Sequence, residues 1–285
     1  MKKEIIHGAG QSLETFQKYW NAVGKFKPRI YMLYLKIDTL TEKLPKRIKE
    51  MQSFSEELYP QIGLSLKSKI KGQQLEEILT SQYDNELKVL IRSLKELKTK
   101  VFLRIGYEFN NPSHNYTPKK FILAWKYIVD LFRKGKADNV KFVWCACTAF
   151  NKKIKEVMDF YPGDTYVDWF GNDLFGVKHF KDNKTKITED FYQESIKHTK
   201  PFMICESSAA RVGVLDGQKS WDDWFKPYFK WISQHSNIKA FCYINWDWAK
   251  DWKQPEWGNC RIEENEIVLK NYLHELKKAR YIHLK

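Results

Sequence analysis

The stretch VFLRIGYEFN, residues 101–110, starts as an apolar run and ends close to a carboxylate, Glu108. Four to eight apolar residues between polar turns are typical of a strand that is buried in a sheet. A glutamate at the carboxyl end of such a strand has no packing role, because Glu is almost never fully buried unless it is paired. In a barrel of parallel strands, active-site side chains occupy this position.

Strand-like runs and helix-like segments alternate outward from this stretch in both directions. We predict strands over residues 4–8, 29–37, 61–66, 101–110, 140–147, 166–171, 201–206 and 238–246. Helices are predicted over residues 13–23, with Ser12 as the N-cap, and over residues 43–59, 73–99, 118–134, 152–160, 187–198, 221–235 and 267–280. Eight strands, each followed by a helix, predict an α/β fold, a (β/α)8 TIM barrel, with residues 1–285 as a single domain.

A doubly wound open sheet is the alternative fold. It usually carries a glycine-rich phosphate-binding turn after its first strand. The sequence His7-Gly8-Ala9-Gly10 lacks the third glycine of that motif and the acidic residue that should follow about 20 positions later. The barrel is therefore the favoured architecture.

Composition and charge limit the class of partner. Of the 285 residues, 43% are hydrophobic and 15% aromatic, including 11 Trp, so the chain can bury a large core and still line a groove with rings. The net charge is +14, but the 49 Lys and Arg residues are dispersed without a long run. We interpret them as a solvated surface and expect no nucleic-acid partner. An anionic, sulfated glycan held by Lys and Arg near a cleft is the alternative.

Four of the five cysteines, Cys145, Cys147, Cys205 and Cys242, lie inside apolar strand-like runs. We expect reduced core residues, because no second Cys or His pair stands at zinc-site spacing. We therefore predict no metal site and no cofactor. The sequence has no stretch of 18 apolar residues and no signal-peptide core. We expect no membrane segment, and a monomer that is cytoplasmic unless a leader was removed.

Glu206 ends the predicted strand 201–206 in the same way that Glu108 ends its own. The carboxyl ends of barrel strands meet at one mouth, so both carboxylates should face the same cleft. Hydrolysis of a glycosidic bond requires two such groups, about 5–5.5 Å apart for retention or about 6.5–9.5 Å apart for inversion. As structural alternatives, Glu108 would pair with Arg104, and Glu206 would cap a helix or bind a loop lysine. Having both at corresponding strand ends favours catalysis.

Several segments resemble glycoside hydrolase family 26. RIGYEFN and NVKFVW are similar to its strands four and five, YPGDTYVDWFG to strand six, PFMICESS to strand seven and FCYINW to strand eight. The likeness covers residues 101–246, about half of the chain. It implies a retaining (β/α)8 glycosidase with Glu108 as the acid/base and Glu206 as the nucleophile. It also implies an endo-acting hydrolase of a β-linked polysaccharide or oligosaccharide, with β-mannan as the first expectation and β-1,3-xylan as the next.

Two positions depart from the family pattern. The residue before the family's acid/base is usually a His that helps to bind the sugar next to the cleaved bond, whereas this chain has Tyr107, so the accepted sugar can differ from mannose. The family also tends to have a Tyr after the strand-six motif, which hydrogen-bonds to the nucleophile. Here Phe175 ends the corresponding stretch and has no hydroxyl. Another donor is then needed, and Tyr243 and Asn172 are the candidates.

Further side chains are predicted to contact the substrate. Trp246 resembles the sugar platform of the clan, with a core Trp as the alternative, and Trp248, Trp252 and Trp257 follow in a polar loop that we expect to be exposed. Arg104 is predicted to bind the nucleophile's carboxylate or to neutralise the barrel interior. The remaining candidates for the cleft wall are His7, Tyr31, Tyr34, Tyr107, Asn110, Trp144, Asn172 and Tyr243.

These patterns predict a retaining endo-glycoside hydrolase that works by double displacement. From a different class, the chain would be a carbohydrate-binding pseudoenzyme, which keeps the groove without the chemistry. The intact Glu108 and Glu206 argue against that alternative. A nucleic-acid binder is the last alternative, and the sequence carries no motif of that kind.

Overall fold

A computed structural model describes residues 4–66, 74–181 and 186–285. Eight parallel strands in this part of the chain form a closed barrel. They are β1 (Ile5–Gly10), β2 (Ile30–Lys36), β3 (Tyr59–Ser65), β4 (Val101–Ile105), β5 (Val140–Ala146), β6 (Trp169–Leu174), β7 (Phe202–Ser207) and β8 (Ile238–Tyr243). Each strand pairs with the next, and β1 pairs with both β2 and β8, which closes the barrel. The predicted (β/α)8 fold is confirmed.

Helices connect the strands and cover the outside of the barrel. They are α1 (Leu13–Ala22), α2 (Leu40–Gln52), α3 (Gln74–Leu79), α4 (Asp84–Lys95), α5 (Pro118–Lys134), α6 (Ile154–Met158), α7 (Lys186–Lys197), α8 (Gln218–Ser220), α9 (Lys226–Gln234), α10 (Trp248–Asp251) and α11 (Glu266–Leu276). A π-helical turn, Trp221–Phe225, joins α8 to α9. A short strand, β9 (Tyr281–Ile282), pairs with the start of β1. None of the described helices is long and apolar enough to cross a membrane.

The predicted start of α1 is confirmed. The hydroxyl of Ser12 accepts a hydrogen bond from the backbone N–H of Thr15 at 3.2 Å. The Thr15 side chain in turn accepts one from the backbone N–H of Ser12, which completes a capping box. Both contacts satisfy N–H groups that the first turn of a helix leaves without a partner.

Two predicted helices are wrong in extent. Residues 43–59 do not form one helix: α2 ends at Gln52, and Tyr59 and Pro60 already belong to β3. The proline marks the start of a strand and not the end of a helix. Residues 73–99 form two helices, α3 and α4, and the chain between them turns at Ser81, whose φ is 64°. The first residue of that predicted segment, Gln73, lies outside the described residues.

The strand pleat separates two layers of core, because successive side chains point to opposite faces. On β5, Trp144 points away from the barrel and stacks on Phe109, with ring centres 4.6 Å apart. Cys145 points inward and packs beside Gly171 of β6, where a Cβ would lie 2.5 Å from the sulfur of Cys205. Small residues and thiols therefore fill the interior, while aromatic rings fill the layer under the helices. Cys145, Cys147, Cys205 and Cys242 are free and buried, as predicted, and Cys260 is free and buried as well.

His7 belongs to the outer layer, so the prediction that it lines the cleft is wrong. Its Nδ1 lies 2.9 Å from the hydroxyl of Tyr19 on α1, and its Nε2 lies 3.2 Å from Nδ1 of His283 near the end of the chain. The ring is fully buried, and burial lowers the pKa of His7 to about 3, with a further contribution from His283. The imidazole is therefore neutral in the folded protein at ordinary pH.

This shift makes stability depend on pH. The pKa of His in an unfolded chain is about 6.5. Between that value and the folded pKa of about 3, the unfolded state binds a proton that folded His7 does not, so stability falls as the pH falls. We expect this group to lower the free energy of unfolding, measured by urea denaturation, by up to about 1.4 kcal/mol per pH unit in that window.

The change His7→Gln should flatten this pH dependence, because Gln keeps a hydrogen-bonding side chain but does not titrate. The matched change His274→Gln, at an exposed position of α11, should leave it as in the wild type. An unchanged slope in His7→Gln would contradict the assignment of the effect to His7.

Candidate active site

Glu108 lies just beyond β4, which ends at Ile105, so the predicted strand over residues 101–110 is too long. Gly106 and Glu108 have φ angles of 55° and 51°, in the left-handed region that few residues other than glycine adopt. Two contacts hold this turn. The N–H of Glu108 donates to the carbonyl of Cys145 at 2.9 Å, and the side-chain amide of Asn111 donates to Oε2 of Glu108 at 3.1 Å. The turn places the carboxylate at the mouth of the barrel.

Glu206 is positioned by an irregularity in β7. Asn172 of β6 pairs with Ile204, but the next residue, Asp173, pairs with Glu206, so Cys205 is passed over. Such a bulge changes the alternation of side chains along a strand. Cys205 and Glu206 therefore both contact the interior, and Ser207 points outward to the hydroxyl of Tyr228 at 2.8 Å.

Arg104 connects the side chains that form the floor of the site. This residue of β4 is fully buried, and its guanidinium donates to Oε1 of Glu206 at 2.7 Å and to Oδ2 of Asp173 at 2.5 Å. The alternative in which Arg104 pairs with Glu108 is wrong, and the predicted contact with Glu206 is present. Asp173 was not predicted. It is the next-to-last residue of β6, as Glu206 is of β7, but the predicted strand six, residues 166–171, stopped two residues before it.

Among the described residues, Cys145, Asp173 and Cys205 have ligand atoms within 4.8 Å of one another, close enough to hold a metal ion. Arg104 already donates to two of them, Asp173 and the sulfur of Cys145 at 3.3 Å. A metal cation would meet this fixed positive charge. This cluster of side chains therefore binds the guanidinium of Arg104.

The two glutamates have different surroundings. Burial raises the pKa of Glu108, and the negative charge of Glu206 raises it further. The amide of Asn111, the charge of Arg104 and the thiol of Cys147 oppose the shift without cancelling it. A carboxyl group with a raised pKa keeps its proton to higher pH and suits the role of a general acid. Glu206, by contrast, contacts a guanidinium directly.

Tyr34 and Tyr107 lie at the site, as predicted. Burial raises the pKa of Tyr34 far above its usual value, and the nearby charge of Glu206 raises it further. The ring of Tyr107 meets that of Tyr34 edge-on at 5.4 Å and lies 4.9 Å from the guanidinium carbon of Arg104. Tyr34 on β2 thus lies near Glu206, although the stretch that ends at Phe175 supplies no hydroxyl there.

Neither of the donors predicted for that role reaches Glu206. The hydroxyl of Tyr243 donates to the carbonyl of Cys260 at 2.7 Å. The amide of Asn172 is held by Thr148, whose N–H it accepts at 3.1 Å. Both side chains are fully buried, and both point away from the barrel interior, because successive residues of a strand face opposite sides of the sheet. The predictions for them are therefore wrong.

Three other predicted cleft residues are also structural. Trp144 and Tyr31 are fully buried under the helices, where Tyr31 packs against Phe16 at 4.6 Å. Asn110 bridges the loops after β4 and β5: its amide donates to the carbonyl of Cys147 at 2.8 Å and accepts from the N–H of Cys147 at 2.9 Å. Because these contacts engage both ends of its amide, Asn110 steadies the turn that carries Glu108.

The tryptophans after β8 differ in exposure. Trp248 is buried, and its indole N–H donates to the hydroxyl of Ser208 at 2.9 Å, so the prediction of an exposed side chain is wrong for Trp248. Trp257 is half-buried against it, with ring centres 4.5 Å apart. Trp252 is exposed, as predicted. Trp246 is 8% exposed, between Trp248 and Trp252, and lies two residues beyond Ile244, which hydrogen-bonds to Ser207.

Comparisons with known proteins identify the family of this chain and agree with its fold. The family model for glycosyl hydrolase family 26 matches residues 65–240. The chain belongs to glycosyl hydrolase family 26. It is 26% identical to a β-1,3-xylanase from an Alcaligenes species, with 79% of this chain and 52% of that protein covered. It is 24% identical to a β-1,3-xylanase from a Vibrio species, with 98% of this chain and 66% of that protein covered. The chain thus spans between half and two thirds of these relatives.

Solved structures of the family share the fold. A family 26 β-mannanase from Bacteroides ovatus matches with a TM-score of 0.73 at 13% identity, covering 99% of this chain and 91% of that one. A mannanase from Bacillus subtilis matches with a TM-score of 0.61 at 18% identity, covering 90% and 85%. At these identities the likeness shows a common (β/α)8 architecture.

The pairing of Arg104 can be tested through stability. Asp173→Ala should leave the buried guanidinium with one carboxylate and cost about 3–5 kcal/mol of unfolding free energy, measured by urea denaturation, because an uncompensated charge remains inside. Asp216→Ala, which removes an exposed carboxylate on the loop after β7, should change stability by less than about 0.5 kcal/mol. Equal stability of the two variants would show that Asp173 does not balance Arg104.

Proposed function

We propose that this chain is a retaining endo-glycoside hydrolase and that its substrate is β-1,3-xylan. The observation that carries the proposal is the unequal carboxylate pair at the barrel mouth: Glu108 with a raised pKa, and Glu206 held by Arg104. Membership of glycosyl hydrolase family 26 supports the reaction class. No cofactor takes part in the proposed chemistry.

In the first proposed step, a carboxylate oxygen of Glu206 attacks the anomeric carbon. The bond from that carbon to the glycosidic oxygen breaks, and Glu108 gives its proton to the departing oxygen. In the second step, Glu108 takes a proton from water, and the water oxygen attacks the same carbon. The bond to Glu206 breaks, and its carboxylate is released. Two displacements at one carbon retain the β configuration.

The surroundings of the two glutamates support these roles. The charge of Glu206 helps to raise the pKa of Glu108 before the reaction, which keeps the acid protonated. Once Glu206 is an ester it carries no charge, and this part of the shift disappears. Glu108 then gives up its proton more readily and is ready to act as the base. Arg104 holds Glu206 in place and stabilises its carboxylate as the ester breaks.

The choice of sugar rests on the relatives and on Tyr107. Both β-1,3-xylanases align with most of this chain, whereas the mannanases are similar in fold at 13–18% identity. We therefore place β-1,3-xylan ahead of β-mannan, our first expectation from the sequence. The ring of Tyr107, packed on Tyr34 beside Glu108, takes up room in the site. Xylose has no hydroxymethyl group at C5, so it needs less of that room than mannose.

A polysaccharide panel tests this proposal. We expect the wild type to release short oligosaccharides from β-1,3-xylan, with much lower rates on β-1,4-mannan, β-1,4-xylan and a sulfated galactan. Glu206→Ala and Glu108→Ala should each lose at least about 100-fold in turnover, since a general acid alone contributes about 10²- to 10⁴-fold. Glu57→Ala, at an exposed position before β3, is the matched control and should retain wild-type turnover.

Different outcomes point to different corrections. Preference for mannan would overturn the substrate but not the reaction. Preference for the sulfated galactan, with activity that falls steeply at moderate salt, would favour the anionic glycan instead. Wild-type turnover in Glu206→Ala or Glu108→Ala would exclude the proposed chemistry, and binding without hydrolysis on every substrate would indicate a pseudoenzyme.

A further inference from the structure

Trp252 has an exposure that packing does not explain. Its side chain is 59% exposed, more than any other aromatic residue in the described part of the chain. It follows α10 in the loop after β8, on the catalytic face of the barrel. An indole left in water forgoes a large gain from burial, and on the catalytic face of the barrel a bound ligand would supply that burial.

Trp252 is the outermost of three tryptophans whose rings contact one another in a row. Trp252 stacks on Trp246 with ring centres 5.5 Å apart and planes 30° apart. Trp246 in turn meets Trp248 edge-on at 5.1 Å. Trp248 donates its N–H to Ser208, only two residues after Glu206. The row therefore begins at the carboxyl end of β7, two residues after Glu206 in the sequence, and leads outward to solvent.

The loop that carries Trp252 is well supported. Asp251, the preceding residue, accepts two hydrogen bonds from the guanidinium of Arg261, each 3.0 Å long. It also accepts the backbone N–H of Asp247 at 2.8 Å, and Asp247 forms a β-bridge with Asn259. These contacts fix the base of the loop, and stacking on Trp246 orients the exposed ring before any ligand arrives. A fixed ring loses little entropy when it binds.

We propose that Trp252 is a sugar-binding platform for a pyranose ring of the polysaccharide, on the Glu206 side of the cleft and outside the sugar that Trp246 faces. The apolar C–H face of a sugar packs against the indole while its hydroxyls stay in water, which suits a ring exposed on one side. This inference rests on the proposed function, because it takes the same polysaccharide chain as the ligand. It adds an outer subsite whose contribution depends on chain length.

Binding to an inactive variant tests the subsite without turnover. We would titrate β-1,3-linked xylo-oligosaccharides of two to six sugars into Glu206→Ala, and into the same variant with Trp252→Ala, by isothermal titration calorimetry. Loss of Trp252 should weaken binding of the longest oligosaccharide by about three- to tenfold and leave the shortest unchanged. Trp252→Phe should recover much of the loss. Leu123→Ala, which removes an exposed apolar side chain from α5, is the control and should bind as the parent does.

The outcomes separate this inference from the proposed function. Equal affinities with and without Trp252 at every length would overturn the subsite, even if the enzyme cleaves xylan. An equal loss at every length would also overturn it, since Trp252 would then act only through Trp246. Length-dependent binding without hydrolysis by the wild type would support the subsite and overturn the proposed reaction. No binding at any length would overturn both the subsite and the xylan assignment.

Discussion

The ion-paired Arg104 is the constraint around which the barrel interior is built. A fully buried guanidinium costs several kcal/mol unless carboxylates pair with it, and here Asp173 and Glu206 supply them from β6 and β7. Three strands are thereby tied together by one side chain. Small residues and thiols surround this polar centre, and at Gly171 even a Cβ would collide with the sulfur of Cys205.

The same interaction makes the two glutamates unequal. Glu206 accepts a hydrogen bond from the guanidinium of Arg104, whereas Glu108 lies in a strained turn with the amide of Asn111 as its hydrogen-bond donor and the charge of Glu206 nearby. A carboxyl group that is buried without a direct cationic partner lowers stability, and such groups persist mainly where function requires them. Opposite surroundings for two carboxylates are a recurrent way to obtain an acid and a nucleophile from one residue type.

The sequence was sufficient for the fold and for the positions of both glutamates, because buried strands are long apolar runs and a charge at their end stands out. It did not show which side chains of each strand point into the barrel. Trp144, Asn172 and Tyr243 lie on strands that reach the site, but alternation alone does not show which face is inward. The bulge at Cys205 leaves no mark in composition, since it shifts the pairing by one residue. Asp173 was missed because the sixth strand was placed three residues too early.

The identity of the nucleophile is the central claim, and covalent trapping tests it most directly. The probe is a 1,3-linked 2-deoxy-2-fluoro β-xylobiosyl fluoride. Its fluorine at C2 slows both displacements, but the fluoride leaving group keeps the first one fast enough for the glycosyl-enzyme to accumulate. After digestion, peptide mass spectrometry should find one fluoro-sugar on the peptide that contains Glu206, and none in Glu206→Ala. A label on Glu108 would contradict the assignment. Release of the α anomer during polysaccharide cleavage, with no label on any residue, would contradict double displacement itself.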